Sequence, residues 1–364
     1  MHSSLFASLI WLLGVAGPAG GVHSASGQLH LIPPTDARIR YVDRWDDQFP
    51  DRPRLWAAGG YLETRFVGPR CAVLVHDQQL YGQHNYLEIA VDDRPPYRIQ
   101  TKGSEDTIWI RAGNRKETHR LLVCKDTETK IGYVAIRGFL ARRLMAPLAA
   151  PDRKIECIGN SITCGMGSDL SRIACGAGSW YDQHNAYMSY GPTLARRFHA
   201  QWHLSAVSGI GLIHSCCNMR ILMPEVYDKV DMADDSIPYR FGRYIPDVVT
   251  ICLGQNDGIQ DSAAFCGQYV RFLQRLRHLY PKARLVCCSS PMANPALNGE
   301  LRRYLKGVRT YMRTRGDSQV YTYFYPHWYH AGCGGHPDMA QQQAMAGELG
   351  AFIGKIMHWR GEGT

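Results

Sequence analysis

The sequence predicts an all-β sandwich, similar to a jelly roll, followed by an α/β domain with a parallel sheet. Residues 28–147 contain many short runs of alternating apolar residues, such as Tyr86–Val91, separated by clusters of Asp, Gly and Pro. From residue 151 to about 360, strand-like runs alternate instead with long helical periods, as at Ala263–Leu279. Such an alternation is typical of βαβ units, in which helices cover a parallel sheet.

The first 26 residues resemble a secretion signal. Leu5–Val15 is an apolar run, and small, turn-forming residues follow it up to about Ser26. The run is too short to span a bilayer. We therefore expect a secreted or periplasmic protein with no membrane span.

The composition is that of an ordinary globular protein. The chain has 364 residues, of which 45% are hydrophobic and 20% are charged, and its formal net charge is +9. Clustered cations would favour a nucleic-acid partner, but here the Lys and Arg residues are scattered in small groups. We expect a solvated surface and no nucleic-acid partner.

One run places a serine between a strand and a helix. Arg153–Gly159 is strand-like and leads directly into Asn160 and Ser161, followed by a segment rich in glycine. A serine at such a turn has its hydroxyl exposed and its backbone N–H directed at any anion that forms there. The alternative is that Ser161 only caps a helix.

Three further blocks follow predicted strand ends and contain Gly209, Asn256 and His336. The carboxyl ends of parallel strands meet at one edge of the sheet, so these residues are expected near Ser161. In this order the four blocks resemble the SGNH (GDSL-type) hydrolase superfamily. The resemblance implies that Ser161 is the nucleophile and His336 the base, with an oxyanion hole formed by Ser161, Gly209 and Asn256. Alternatively, Gly211 supplies the donor, Asn256 caps a helix, and His336 begins a surface helix.

The segment before the serine carries a second resemblance. Arg38–Arg44, Gly60–Gly68, Lys125–Glu128 and Gly138–Phe139 are similar to the N-terminal β-sandwich of carbohydrate esterase family 2. The resemblance implies a cofactor-independent esterase that removes acetyl groups from plant polysaccharides such as xylan or mannan. An acetylated polysaccharide or oligosaccharide is therefore the expected substrate.

The chain departs from the family pattern around the histidine. Superfamily members often carry an Asp two or three residues before it, where this chain has Cys333 and Gly334. Related esterases include Ser-His dyads in which a backbone carbonyl holds the histidine, so the change does not imply loss of activity. Gly335 replaces a common aromatic residue. Sugar stacking is then expected from other aromatic residues: Trp180, Trp328 and Tyr329.

Twelve cysteines raise the question of disulfides. Four of them lie in predicted strands of the parallel sheet and are expected to be buried thiols: Cys157, Cys252, Cys287 and Cys288. Cys164 and Cys175 flank a loop beside the nucleophile and form the expected bridged pair, although spacing alone does not determine connectivity.

Two other functions compete with the esterase. One is a metal-dependent hydrolase that uses the loop residues His327, His330, Cys333 and His336, whose spacing could suit zinc. The other is a degraded esterase that only binds carbohydrate, because a fold does not by itself establish activity.

Overall fold

The computed structural model describes residues 27–234 and 236–361. The predicted secretion signal, residues 1–26, lies outside these residues. Within the described part of the chain, no helix combines the length and the apolar character that a membrane crossing requires.

Twelve strands in the first part of the chain form two antiparallel sheets. They are β1 (His30–Ile32), β2 (Arg40–Val42), β3 (Trp45–Asp46), β4 (Arg54–Leu55), β5 (Tyr61–Val67), β6 (Arg70–Asp77), β7 (Tyr86–Val91), β8 (Tyr97–Gln100), β9 (Glu105–Arg111), β10 (Thr118–Lys125), β11 (Val134–Ala141) and β12 (Leu144–Met145). One sheet has the order β3-β4-β11-β6-β9, with β1 also paired to β11; the other has the order β12-β5-β10-β7-β8, with β2 paired to β5. Alternate residues of these strands, such as Phe66, Val73 and Phe139, fill the core between the sheets.

The rest of the chain forms a five-stranded parallel sheet with helices. The elements are β13 (Arg153–Gly159), α1 (Ser161–Cys164), α2 (Tyr190–Arg197), β14 (Ala200–Ala206), α3 (Met223–Val226), β15 (Val248–Ile251), α4 (Ser262–Leu279), β16 (Arg284–Cys288), α5 (Pro295–Thr314), β17 (Val320–Tyr323) and α6 (Met339–Met357). The strand order is β14-β13-β15-β16-β17. β14 and β15 are buried along their whole length, as expected for parallel strands covered on both faces. The predicted fold class is confirmed.

The sandwich and the parallel sheet share a core. Tyr61 of β5 stacks on Trp202 of β14 with ring centroids 4.1 Å apart. The Trp202 indole N–H donates a hydrogen bond to the carbonyl of Gly59 at 2.7 Å. Arg44 forms an ion pair with Glu156 at 3.6 Å, and both side chains are fully buried. The sandwich is therefore packed against the α/β unit closely enough to contribute residues to it.

Candidate active site

Ser161 stands at the turn between β13 and α1. The Asn160 side chain accepts a hydrogen bond from the Ile162 N–H at 3.2 Å and so caps the short helix. Gly159 is required here because a Cβ at this position would lie 2.0 Å from the Thr163 hydroxyl oxygen. Asn160 thus provides the cap and leaves the Ser161 hydroxyl available for another partner.

That partner is His336. Its Nε2 atom lies 2.8 Å from the Ser161 Oγ, and its Nδ1 atom lies 3.2 Å from the carbonyl oxygen of Cys333. A neutral imidazole with its proton on Nδ1 fits both contacts: Nδ1–H donates to Cys333, and Nε2 accepts from the serine hydroxyl. No ion pair in the described residues involves His336. The histidine is oriented by a backbone carbonyl.

Burial lowers the pKa of His336 below its usual value, and hydrogen bonds to the backbone of Cys333 and Gly334 partly oppose this. The imidazole is therefore neutral at neutral pH. A neutral imidazole is the form that accepts a proton from a serine hydroxyl.

A disulfide holds the loop that carries His336. Cys333 is bonded to Cys175, with Cα atoms 5.1 Å apart. The expected Cys164–Cys175 pair is wrong, because Cys164 lies in α1 as a buried free thiol whose sulfur faces Glu128. The bridge joins segments 158 residues apart, a pairing that sequence proximity does not indicate. The expectation of buried thiols at Cys157, Cys252, Cys287 and Cys288 is confirmed.

Gly209 follows the end of β14, which pairs with β13. Its φ of +86° lies in the left-handed region, and a Cβ there would lie 2.8 Å from the Met219 sulfur. Gly211, the alternative donor, already donates its N–H to the Ser215 hydroxyl at 3.0 Å. In the described residues, no backbone hydrogen bond uses the N–H of Gly209 or Ser161 as a donor.

Asn256 follows β15, on the other side of β13. Its Nδ2 atom donates to the Ile210 carbonyl at 2.8 Å, which uses one of its two hydrogens. The neighbouring Asp257 has a structural role, since its carboxylate accepts the N–H groups of Leu212, Ile213 and His214. Ser161, Gly209 and Asn256 therefore follow three adjacent strands, β13, β14 and β15.

The three candidate stacking residues differ in exposure. Tyr329 is wrong as a sugar platform: it is 5% exposed, and its hydroxyl donates to Glu348 at 2.6 Å. Trp328 is exposed, but one face is covered by His330 at 4.3 Å between ring centroids. Trp180 is exposed and packs edge-on against His184, whose pKa is lowered by burial and, to a smaller extent, by Arg98 and His336. Of the three residues, Trp180 therefore remains a candidate for sugar stacking.

The loop proposed for metal binding does not form a ligand cluster. The Cys333 sulfur is in the disulfide, so it is not a thiolate. His336 is oriented towards Ser161, and His330 stacks on Trp328. Across the described ranges, no group of three His, Cys, Asp or Glu side chains is placed to hold a metal ion.

Two residues of the sandwich near this site were not predicted. Glu128 accepts the Ser208 N–H at 2.6 Å, and Lys130 donates to the Ser208 carbonyl at 2.9 Å. Lys130 also borders a cleft of about 680 Å³ between the sandwich and residues 219–234, where Tyr81 is 90% exposed. The charged segment Lys125–Lys130 at the end of β10 was the available signal.

Comparison with known proteins identifies the family. Residues 157–345 match the model of the GDSL-like Lipase/Acylhydrolase family, which covers more than half of the chain. The chain belongs to this family. Residues 41–151 match the model of the carbohydrate esterase 2 N-terminal region.

Individual similar proteins support the same family assignment. The chain is 29% identical over 339 residues to the cellulase/esterase CelE of Acetivibrio thermocellus, covering 88% of this chain but only 40% of that protein. It is 26% identical over 345 residues to an acetylxylan esterase / glucomannan deacetylase of Cellvibrio japonicus, covering 92% and 94%. A family two carbohydrate esterase from Clostridium thermocellum, solved in complex with cellohexaose, aligns with a TM-score of 0.81 and 29% identity over 88% of this chain and 99% of that one. The predicted family and the predicted enzyme class, a carbohydrate esterase of the SGNH type, are confirmed.

Proposed function

We propose that this protein is a secreted esterase that removes O-acetyl groups from plant polysaccharides such as xylan or glucomannan, using Ser161 and His336. The observation that carries the proposal is the 2.8 Å contact between the His336 Nε2 and the Ser161 Oγ. A serine hydroxyl becomes an effective nucleophile when a positioned base takes its proton.

The first half-reaction transfers the acetyl group to the enzyme. The Ser161 oxygen attacks the ester carbonyl carbon while Nε2 of His336 takes the hydroxyl proton. The carbonyl oxygen becomes an oxyanion, and the sugar oxygen then leaves with the proton that His336 returns. Acetyl-Ser161 and a free sugar hydroxyl result.

The oxyanion needs preorganised donors. Within residues 27–234 and 236–361, the N–H groups of Ser161 and Gly209 donate no backbone hydrogen bond, and Asn256 has one amide hydrogen beyond its bond to Ile210. Losing one such donor typically costs on the order of 10²–10³ in rate. These three donors are therefore the proposed oxyanion hole.

Water completes the cycle through the same histidine. His336 takes a proton from water, the resulting hydroxide attacks acetyl-Ser161, and the proton returns to the Ser161 oxygen as acetate leaves. The Cys333 carbonyl holds the imidazole in the tautomer that both steps need.

The proposed substrate rests on the relatives. Two of them, from Cellvibrio japonicus, are named acetylxylan esterase / glucomannan deacetylase. An acetylated plant polysaccharide lies outside the cell, which is consistent with the proposed export of the protein through residues 1–26. We further propose that residues 28–147 and 151–360 are the two domains of the mature enzyme.

Acetate release tests the function and separates it from carbohydrate binding alone. We expect acetate from acetylated xylan or acetylated glucomannan with the unaltered protein, none with Ser161→Ala, and full release with Ser318→Ala, which changes an exposed surface serine. Binding of either polysaccharide without acetate release would favour the binding-only alternative. No release and no binding would overturn the proposed substrate class.

A further inference from the structure

The Ser208–Gly209 peptide is held by side chains of the β-sandwich. Glu128, which is fully buried, accepts the Ser208 N–H through Oε2 at 2.6 Å. The Lys130 ammonium donates to the Ser208 carbonyl at 2.9 Å and lies 3.3 Å from the Met219 sulfur. Glu128 directly precedes the 3₁₀ turn Thr129–Ile131, which lies between β10 and β11, and Lys130 lies within that turn. Two sandwich residues thus contact the backbone directly before Gly209.

Among the described residues, the hydrogen bonds of the backbone at 208–210 leave one backbone donor unused. The three carbonyls accept from Lys130, from the Cys216 N–H at 2.9 Å and from the Asn256 amide at 2.8 Å. The Ser208 N–H donates to Glu128, and the Ile210 N–H donates to the Val207 carbonyl at 3.2 Å. The N–H of Gly209 is the backbone donor that remains.

Lys130 determines the direction of that donor. The Ser208 carbonyl and the Gly209 N–H belong to one trans peptide unit, so they point in opposite directions. Glycine has wide backbone freedom, and the unit could otherwise rotate about its flanking bonds. Holding the carbonyl from one side directs the N–H to the other side.

The charge of Lys130 adds to this effect. A hydrogen bond from an ammonium to a carbonyl is stronger than one between neutral groups, and it polarises the peptide so that its N–H becomes a better donor. Among the described residues, no ion pair with a carboxylate occupies Lys130. Its positive charge is therefore directed at the peptide.

We propose that Lys130 and Glu128 are positioning residues of the oxyanion hole: Lys130 aims and polarises the Gly209 N–H, and Glu128 anchors the backbone behind it. This inference rests on the proposed function and deepens it. The β-sandwich is then a functional part of the esterase, because it organises one of the donors that stabilise the transition state.

The test compares Lys130→Met, which removes the charge at similar length, with Lys130→Arg, which keeps a cation. Lys102→Met makes the same change at an exposed sandwich lysine and is the matched control. For Lys130→Met we expect kcat for an acetyl ester to fall on the order of 10- to 100-fold, which is less than the loss expected when an oxyanion-hole donor is removed entirely. KM should change less than about twofold. Lys130→Arg should recover most of kcat, and Lys102→Met should match the unaltered protein.

A second readout does not depend on acetyl ester turnover. A p-nitrophenyl alkylphosphonate phosphonylates the serine: the Ser161 oxygen bonds to phosphorus, Nε2 of His336 takes the hydroxyl proton, and p-nitrophenolate leaves, while the developing P–O⁻ occupies the oxyanion hole. We expect this rate to fall with kcat in Lys130→Met. Lys130→Gln, which also removes the positive charge, gives the same comparison where Lys130→Met does not fold.

The outcomes separate the two proposals. Failure of the unaltered protein to hydrolyse acetyl esters would overturn the proposed function, whereas the ratio of phosphonylation rates still tests the positioning role. Unchanged kcat and phosphonylation in folded Lys130→Met would overturn that role. A loss that Lys130→Arg fails to recover, or one that appears in KM and thermal stability instead of kcat, would also overturn it.

Discussion

Gly334→Asp would place an acid beside His336, which forms no ion pair within the part of the chain that the structure describes. Gly334 is exposed, and a Cβ built on it would lie 3.5 Å from the Nδ1 of His336, so a carboxylate one bond further reaches that nitrogen. The φ at this position is +61°, a left-handed conformation that Asp and Asn tolerate better than most residues. Gly334→Asn therefore carries the same backbone strain without the charge and is the matched control.

The size of the effect follows from this geometry. Two unit charges about 4 Å apart interact by about 4 kcal/mol at an effective dielectric constant of about 20. Solvent screening at an exposed position reduces this value, but the remaining attraction favours the imidazolium, so we expect the carboxylate to raise the pKa of His336. In the unaltered protein burial keeps that pKa below its usual value.

The assay is the pH dependence of kcat/KM for an acetyl ester. The base must be neutral, so in the unaltered protein activity rises with pH as His336 loses its proton, and this acid limb lies below the usual range of a histidine. In Gly334→Asp the raised pKa keeps His336 protonated up to a higher pH, which moves the acid limb of kcat/KM to higher pH. Its plateau rate rises because the carboxylate stabilises the imidazolium formed during attack. An acid limb at the same pH in folded Gly334→Asp and Gly334→Asn would refute the reasoning.

Three further predictions concern the same site. Ser161→Ala and His336→Ala should each abolish most turnover, and the double variant should be scarcely worse than either; additive losses would contradict a shared proton transfer. Asn256→Ala should lower kcat on the order of 10²-fold with little change in KM, while a loss confined to KM would indicate substrate binding instead. The double variant Cys175→Ser, Cys333→Ser should lower the free energy of unfolding by roughly 2–4 kcal/mol, measured by denaturant titration. It should also reduce kcat, because the Cys333 carbonyl holds His336. Cys266→Ser, at a free cysteine, is the control.

The sequence was informative where the signal is local. A strand followed by Gly-Asn-Ser-Ile-Thr predicts the turn at Ser161, and the structure places that serine directly after β13. The change from alternating to helical periodicity predicts the two architectures. The order of the parallel strands then brings the ends of β13, β14 and β15, which carry three of the blocks, side by side. The contact of His336 with Ser161 brings in the fourth block.

The sequence was uninformative where tertiary contacts decide. Tyr329 is an aromatic residue of the kind that stacks on sugars, but its burial and its hydrogen bond to Glu348 depend on the packing of α6. The partner of Cys175 lies 158 residues away, and only the folded chain brings it near. The contacts of Lys130 with Ser208 arise from the packing of the sandwich against the α/β unit.

The account depends most on Ser161 as the residue that is acetylated. Rapid quenching during hydrolysis of an acetyl ester, followed by peptide mass spectrometry, measures this directly. We predict one added acetyl group on the peptide that contains Ser161, and none on that peptide in Ser161→Ala. Acetate released at the full rate with no acetyl group on Ser161 would contradict the account, because water would then attack the ester directly.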